Sequence, residues 1–520
     1  MTKTNALFDG FCAAIDDRSN PFIHDGDGVV TYGDMLDRSA QYANALIDMG
    51  LKPGDRVTVQ AAKSVEALLF YLAVIRAGCV YQPLNTAYTM SEIAYFVENA
   101  EPSLIIVDAD AITPMQELAA KTIGAQVMTL DLEGPHSLSQ KASLLAASFE
   151  NVARSEDDLA AILYTSGTTG RSKGAMLSHG NLLSNATVLC DIWRFTAQDV
   201  LIHALPIFHT HGLFVATNVV LLSGASMRFF KAYDPDAVLD AMPSSTVLMG
   251  VPTFYTRLLS NPRLTSQQTA NMRLFISGSA PLLAETHRQF SERTGKAILE
   301  RYGMTETNMN SSNPYDGDRK PGTVGFPLPG TDIRITQSES GQALQAGEVG
   351  MVEVRGPNVF SGYWRMPEKT REEFRADGYF ITGDLGMMDE DGYLVIVGRG
   401  KDLIITGGLN VYPKEIESAI DDMDGVVESA VIGVPHADFG EGIIAVIVAE
   451  KNSTLTSDAV RQALGENLAK FKLPRICYFV DALPRNTMGK VQKNTLREAH
   501  MHEFDGPVDA AAKHPPGEVT

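Results

Sequence analysis

Apolar positions recur at helical spacing over Met35–Met49 and again over Ser64–Ala77, the period that turns one face of a helix toward a core. Short apolar runs stand between and after them: Arg56–Val59, Leu104–Val107 and Gln126–Leu130. Their length suits buried strands, and helices alternating with such strands predict α/β layers around mostly parallel sheets. Past Gly347 the pattern changes. Glu348–Arg355 alternates apolar and polar residues, and Asp389–Val397 sets Asp391-Gly392 ahead of an apolar run, so this stretch predicts a smaller β-rich subdomain. From Lys401 the pattern restarts with a strand, a helix at Pro413–Met423, strands at Ser429–Val434 and Ile443–Ala449, and a helix at Ser457–Leu468. The expected organisation is a large N-terminal body over 1–400, a small α+β body over 401–505 and a frayed tail over 506–520. The junction is placed at Arg399-Gly400-Lys401-Asp402.

Composition narrows the class. A chain of 520 residues, 44% hydrophobic and 20% charged, can bury a large core in more than one domain. Lys and Arg total 43 against 63 for Asp and Glu, a formal charge of −20, which argues against nucleic acid or an anionic membrane as partner. No apolar run approaches the roughly 18–20 residues of a membrane span. Cys12, Cys79, Cys190 and Cys477 are scattered without metal-ligand or disulfide-framework spacing, as a reducing cytoplasm would allow. Met1–Arg18 carries Asp9, Asp16 and Asp17 and does not read as a secretory signal.

Candidate chemistry concentrates first at Tyr164–Gly174, Tyr-Thr-Ser-Gly-Thr-Thr-Gly-Arg-Ser-Lys-Gly. The apolar run Leu159–Leu163 leads into it as a strand would. Small residues let backbone amides approach an anion, so Thr165, Ser166, Gly167, Thr168, Thr169, Gly170 and Lys173 read as a phosphate cradle. The loop does not align with a Walker A motif.

Together with Tyr302-Gly303-Met304-Thr305-Glu306, Thr382-Gly383-Asp384, Gly398–Asp402 and Pro484–Lys490, this loop resembles the ordered motifs of the adenylate-forming acyl-CoA synthetases. The likeness runs from about Tyr32 to Arg497. Arg194-Phe195-Thr196, Leu205–Leu213 and Glu300–Pro314 are most similar to the malonyl-CoA synthetase branch. The resemblance implies ATP, Mg²⁺ and coenzyme A as reactants, an acyl-adenylate intermediate, and a mobile C-terminal body. It implies that Lys490 contacts the carboxylate and α-phosphate during adenylation, that Thr305 contacts the α-phosphate and that Glu306 holds Mg²⁺. Asp384 would bind the ribose and Arg399 would add a second ribose or phosphate contact. Tyr302 and Gly303 would meet the adenine, with Ser279 and Ala280 on its other side. Lys401 would be the hinge, and Gly407 and Gly408 would line the pantetheine tunnel. Acetylation of Lys490, by a lysine acetyltransferase and its opposing deacetylase, would switch the enzyme off.

The expected acid is malonate, with methylmalonate as its open alternative, and either needs a cation for the second carboxylate. Arg288, on an expected helix Leu283–Thr294, is the candidate anchor, with His209, Ser277 and Met304 in the acyl pocket and Arg257 as a weaker anchor. His209 and His211 read as pocket lining rather than metal ligands. Ser172 stands where many members of the family have proline before the loop lysine. The competing expectations are a CoA ligase for another short or aromatic acid, a carrier-protein loading module, and a non-catalytic nucleotide binder.

Overall fold

The first long helix begins at a reciprocal cap. The Thr31 hydroxyl accepts from Asp34 N, and the Asp34 carboxylate accepts from Thr31 N, filling two amides that a helix start leaves open. The helix runs Tyr32–Asp48, three residues ahead of the apolar periodicity, because the cap sets the start. Ser64 caps the next helix, Val65–Arg76, in which every residue from Ala67 to Arg76 is buried, as a helix apolar on all sides requires. Arg76 ends it without stranding its charge: the guanidinium donates to Asn151 Oδ1 at 2.8 Å, Leu36 O at 2.7 Å and Ser39 Oγ at 2.8 Å.

The computed structural model describes residues 4–26, 28–122, 124–165, 172–407, 409–436, 438–451, 453–486 and 489–504. They fall into two units, one of Met1–Arg334, Glu353–Thr382 and Asp391–Leu394, the other of Ile335–Val352, Gly383–Glu390 and Val395–Thr520. Among the described residues no helix is long and apolar enough to cross a membrane.

The first unit holds two sheets. One runs Gln126–Met128, Leu104–Val107, Arg56–Gln60, Val80–Pro83, Leu159–Thr165, Lys173–Ser178; all its pairs are parallel except the last, an antiparallel hairpin. The three strands expected from the sequence lie side by side in it. The other sheet has the parallel core Ile298–Met304, Leu274–Ser277, Val247–Gly250, Val200–His203, Ser226–Phe229, Pro21–Asp25. Antiparallel strands close both edges, Gly28–Thr31 at one and Asn308–Ser312 with Phe326–Pro327 at the other. Asp199, just before one core strand, is buried but fully engaged, accepting from Thr196 N, Thr246 Oγ1 and the Arg273 guanidinium.

The expected β-rich stretch contains the strands Gly350–Arg355, Phe380–Met388 and Leu394–Arg399. In the second unit a long antiparallel pair, Val426–His436 with Gly440–Ala449, forms the spine. Its alternate residues separate two apolar layers: Val431, Ile443 and Ile447 pack with helices Pro413–Asp421 and Ser457–Asn467, while Ile432, Ile444 and Val446 pack with Leu483 and Leu496. This is the α+β body that the sequence predicts, with both sheet faces covered.

One buried group makes stability depend on pH. His179, the first residue of helix His179–Ile192, has no exposed surface, and neither ring nitrogen has a hydrogen-bond partner. Burial, reinforced by Arg154, lowers its pKa to about 4. An unfolded histidine binds its proton near pH 6.5, so this term is fully present above that pH and is lost as pH falls toward 4. His179→Leu is expected to remove about 2 kcal/mol of the stability lost between pH 7 and 5, read as a shallower fall of Tm across that range.

Candidate active site

The strand Leu159–Thr165 turns back into Lys173–Ser178, with Thr165 opposite Lys173 and Leu163 opposite Ala175. Thr165 and Lys173 thus form the base of the expected phosphate cradle; Ser166, Gly167, Thr168, Thr169 and Gly170 lie outside the described residues. Lys173 Nζ donates to Glu373 Oε1 at 2.7 Å and to the Tyr363 hydroxyl at 3.0 Å. The Tyr363 hydroxyl reaches Glu373 Oε2 at 2.5 Å and Glu306 Oε1 at 3.1 Å. Burial and the two carboxylates push the phenol pKa well up, so it stays protonated. Glu306 is itself buried. A buried carboxylate beside the phosphate hairpin, with hard oxygen donors, suits Mg²⁺ bridging to phosphate. Tyr302, Gly303, Met304 and Thr305 precede it at half-buried positions. Gly303 permits the close strand crossing there, since a Cβ would stand 2.0 Å from Asn308 O.

The acyl side is built on neighbouring strand ends. Ser277 is opposite Gly250 on one side and Glu300 on the other. The chain then passes through Gly278 and Ser279, whose φ is +72°. Ser279 Oγ stands 3.2 Å from His211 Nδ1. His211 opens a widened turn, His211–Thr217, of the π type that recurs at functional sites. Gly212 makes that turn possible, since a Cβ would come within 2.0 Å of Pro206 O. Its carbonyl is bonded by Thr217 Oγ1 at 3.0 Å and lies 2.9 Å from His203 Nε2. Burial, then Arg301, holds the His211 pKa well below its ordinary value, so the ring is neutral.

Arg301 is the feature that the sequence motifs do not single out. It is 3% exposed, and its Nε and Nη2 are buried with no hydrogen-bond partner among the described residues. Burial lowers its pKa to about 9, against the opposing influence of Tyr255 and Glu300, so it remains a cation at neutral pH. It lies where Gly278 has no side chain: a Cβ there would be 2.4 Å from Arg301 Cζ. His211 Nε2 and Ser277 Oγ are likewise buried without partners. A lone buried guanidinium is costly unless an anion meets it, and a carboxylate fits its fork. The available signal was its place in Glu-Arg-Tyr-Gly-Met-Thr-Glu, an arginine ending an apolar run.

Arg288 differs from the expectation. The helix Ala284–Thr294 buries Thr286, His287, Phe290 and Thr294, which leaves Arg288 on the exposed stripe, 2.8 Å from Glu285. Arg257 is also exposed. His287 fixes the helix instead, its Nε2 2.9 Å from Ile298 O. His209 is half-buried, its Nδ1 accepting from His211 N at 3.3 Å, and Met304 packs against the core.

The second unit carries its own share of the expected residues. Asp384 is buried, its Oδ1 2.8 Å from Arg399 Nε. Lys401 lies in the short turn Gly400–Asp402, with its pKa lowered chiefly by burial. Gly407 has φ +58°, a conformation that favours glycine; Gly408 lies outside the described residues. Lys490 is tied to Asn486: its N donates to Asn486 Oδ1 at 2.9 Å and its O accepts from Asn486 N at 2.9 Å.

Comparison with known proteins identifies the family. The AMP-binding enzyme family matches residues 13–364, and the AMP-binding enzyme C-terminal domain matches residues 415–490. The chain is 34% identical over 487 residues to a malonate–CoA ligase of Arabidopsis thaliana, covering 86% of this chain and 79% of that one. It is also 34% identical over 501 residues to a methyl-dioxo-octahydroindenyl-propanoyl:CoA ligase of Rhodococcus jostii, covering 92% and 95%. Among solved structures, ATP-bound MatB from Rhodopseudomonas palustris is 60% identical, with a TM-score of 0.94 over 96% of this chain and 99% of that one. The chain belongs to the AMP-binding enzyme family and is an AMP-forming acid–CoA ligase.

Proposed function

We propose that the protein joins malonate to coenzyme A at the expense of ATP, releasing AMP and pyrophosphate. The observation that carries the choice of acid is Arg301, a buried cation whose free nitrogens await an anion. A monocarboxylate gives its one carboxylate to the reaction and leaves Arg301 unmet. Malonate gives one carboxylate to the reaction and the other to Arg301, with Ser277 and His211 as further donors.

In the first half-reaction a malonate carboxylate oxygen attacks the α-phosphorus of ATP. The bond to the bridging oxygen breaks, and pyrophosphate leaves with the electron pair. In the second, the CoA thiol loses its proton as sulfur attacks the activated carbonyl, and AMP departs. Both steps build charge on oxygen, so the protein's work is positioning and electrostatic stabilisation. Glu306 would hold Mg²⁺, which would supply a counter-charge to the phosphates. Lys173 and Thr305 serve phosphate oxygens, Tyr302 and Gly303 with Ser279 and Ala280 the adenine, and Asp384 with Arg399 the ribose. Lys490 meets the reacting carboxylate and the α-phosphate. Residues 401–505 are the body that reorients about Lys401 so that Gly407 and Gly408 can admit pantetheine. Met304 and His209 complete the acyl pocket. The four free cysteines suit a reducing cytoplasm.

Arg301→Ala is expected to lower kcat/KM for malonate roughly 100-fold or more, to leave acetate or butyrate turnover no worse, and to leave the ligand-free Tm unchanged or higher. Arg288→Ala is expected to stay within threefold of the parent. Malonate turnover that survives Arg301→Ala overturns the dicarboxylate reading while keeping the ligase chemistry.

Lys490→Ala, or quantitative acetylation of Lys490 by a lysine acetyltransferase, is expected to slow malonate-dependent pyrophosphate release roughly 100-fold. Deacetylation should restore the rate. Full activity in material shown by intact mass to be completely acetylated at Lys490 excludes that control.

A further inference from the structure

Lys173 is expected to meet phosphate, yet its ammonium is already engaged. It lies 2.7 Å from Glu373 Oε1, 3.0 Å from the Tyr363 hydroxyl and 4.1 Å from the centroid of the Tyr363 ring. The phenol has one proton and two carboxylates within reach. Its 2.5 Å contact to Glu373 takes that proton; its 3.1 Å contact to Glu306 is the one a cation can outcompete.

The backbone reinforces this chain of side chains. Trp364 N donates to Gly174 O at 2.7 Å, Met176 N to Gly362 O at 3.0 Å and Ser361 N to Met176 O at 3.1 Å. These bonds zip the segment 361–364 onto the strand that leaves the phosphate hairpin. Phe360 N donates to Glu306 O at 2.8 Å, so the same short segment holds both Glu306 and the Lys173 strand. Gly362, at φ +129°, lets it pass where a Cβ would sit 2.6 Å from Thr370 Cγ2.

We propose that Tyr363 and Glu373 are positioning residues that form a resting clamp on Lys173, which an incoming magnesium–nucleoside triphosphate releases by taking Lys173 and Glu306 from it. The proposal rests on the reading of Lys173 and Glu306 as nucleotide ligands. The handover does not strand a carboxylate, because Lys369 Nζ lies 3.2 Å from Glu373 Oε1 and keeps that charge compensated when Lys173 leaves. Lys173 also holds the Glu373 pKa down against its burial, so the clamp is an ion pair at neutral pH. Nucleotide affinity is therefore set below what Lys173 alone could give, by the strength of the contact that must break.

The test is calorimetric titration of Mg–ATP into the full-length chain without acid or CoA. Glu373→Gln is expected to bind about 3- to 10-fold more tightly than the parent. Lys173→Ala is expected to bind more weakly, and adding Glu373→Gln to it should change affinity by less than twofold. Glu373→Asp, which keeps the charge, should stay nearer the parent than Glu373→Gln, and it carries the comparison should the glutamine variant fail to fold. Parental or weaker affinity in Glu373→Gln overturns the clamp, as does equal tightening in the Lys173→Ala background. Absence of Mg–ATP binding by the parent chain overturns the nucleotide reading and the clamp with it. The acid specificity read through Arg301 stands apart from all these outcomes.

Discussion

Parallel pairing of Val247–Gly250, Leu274–Ser277 and Ile298–Met304 is the constraint from which the proposed acyl site follows. Parallel strands end at the same edge, and here the register sets Gly250, Ser277 and Glu300 level with one another. Whatever follows each strand must therefore emerge beside its neighbours. Gly278 emerges against the Arg301 guanidinium, and Ser279 against His211. No loop has to search for this arrangement, because the hydrogen-bond ladder of the sheet has already made it.

That dependence explains what the sequence made legible. Helices such as Val65–Arg76 and the strands of the first sheet are written in local periodicity and caps, so they can be read in order along the chain. Motifs are also local, so the Thr165–Lys173 pairing, the Tyr302–Glu306 run and the bonds between Asn486 and Lys490 can be located from the sequence, while what each binds belongs to the proposed function. The proposed anchor was not local. Arg288 and Arg301 are equivalent as letters, and only the phase of helix Ala284–Thr294 and the register of three strands put one in solvent beside Glu285 and the other in the core. Tyr363 and Glu373 escaped for the same reason, since their partners Glu306 and Lys173 lie 57 and 200 residues away along the chain.

The electrostatics work against the net charge. A chain at −20 binds polyanionic reactants only if its cations are placed where bulk screening does not reach. Among the described residues, Arg301 is buried with no hydrogen-bond partner for its Nε or Nη2, whereas Lys173 is half-buried and held by the Glu373 carboxylate and the Tyr363 hydroxyl. Burial makes the first strong and the second exchangeable.

The recess at Gly278 has a consequence for how specificity could change over time. If Arg301 anchors the second carboxylate as proposed, acid preference rests on the lack of one carbon atom at Gly278. A single methyl at this position would stand 2.4 Å from the guanidinium carbon and evict the charge, leaving Arg301 itself unaltered in the gene. A lineage of such enzymes could thus drift between dicarboxylates and monocarboxylates through the smallest of residues, and retain the silent arginine as a record of its earlier substrate.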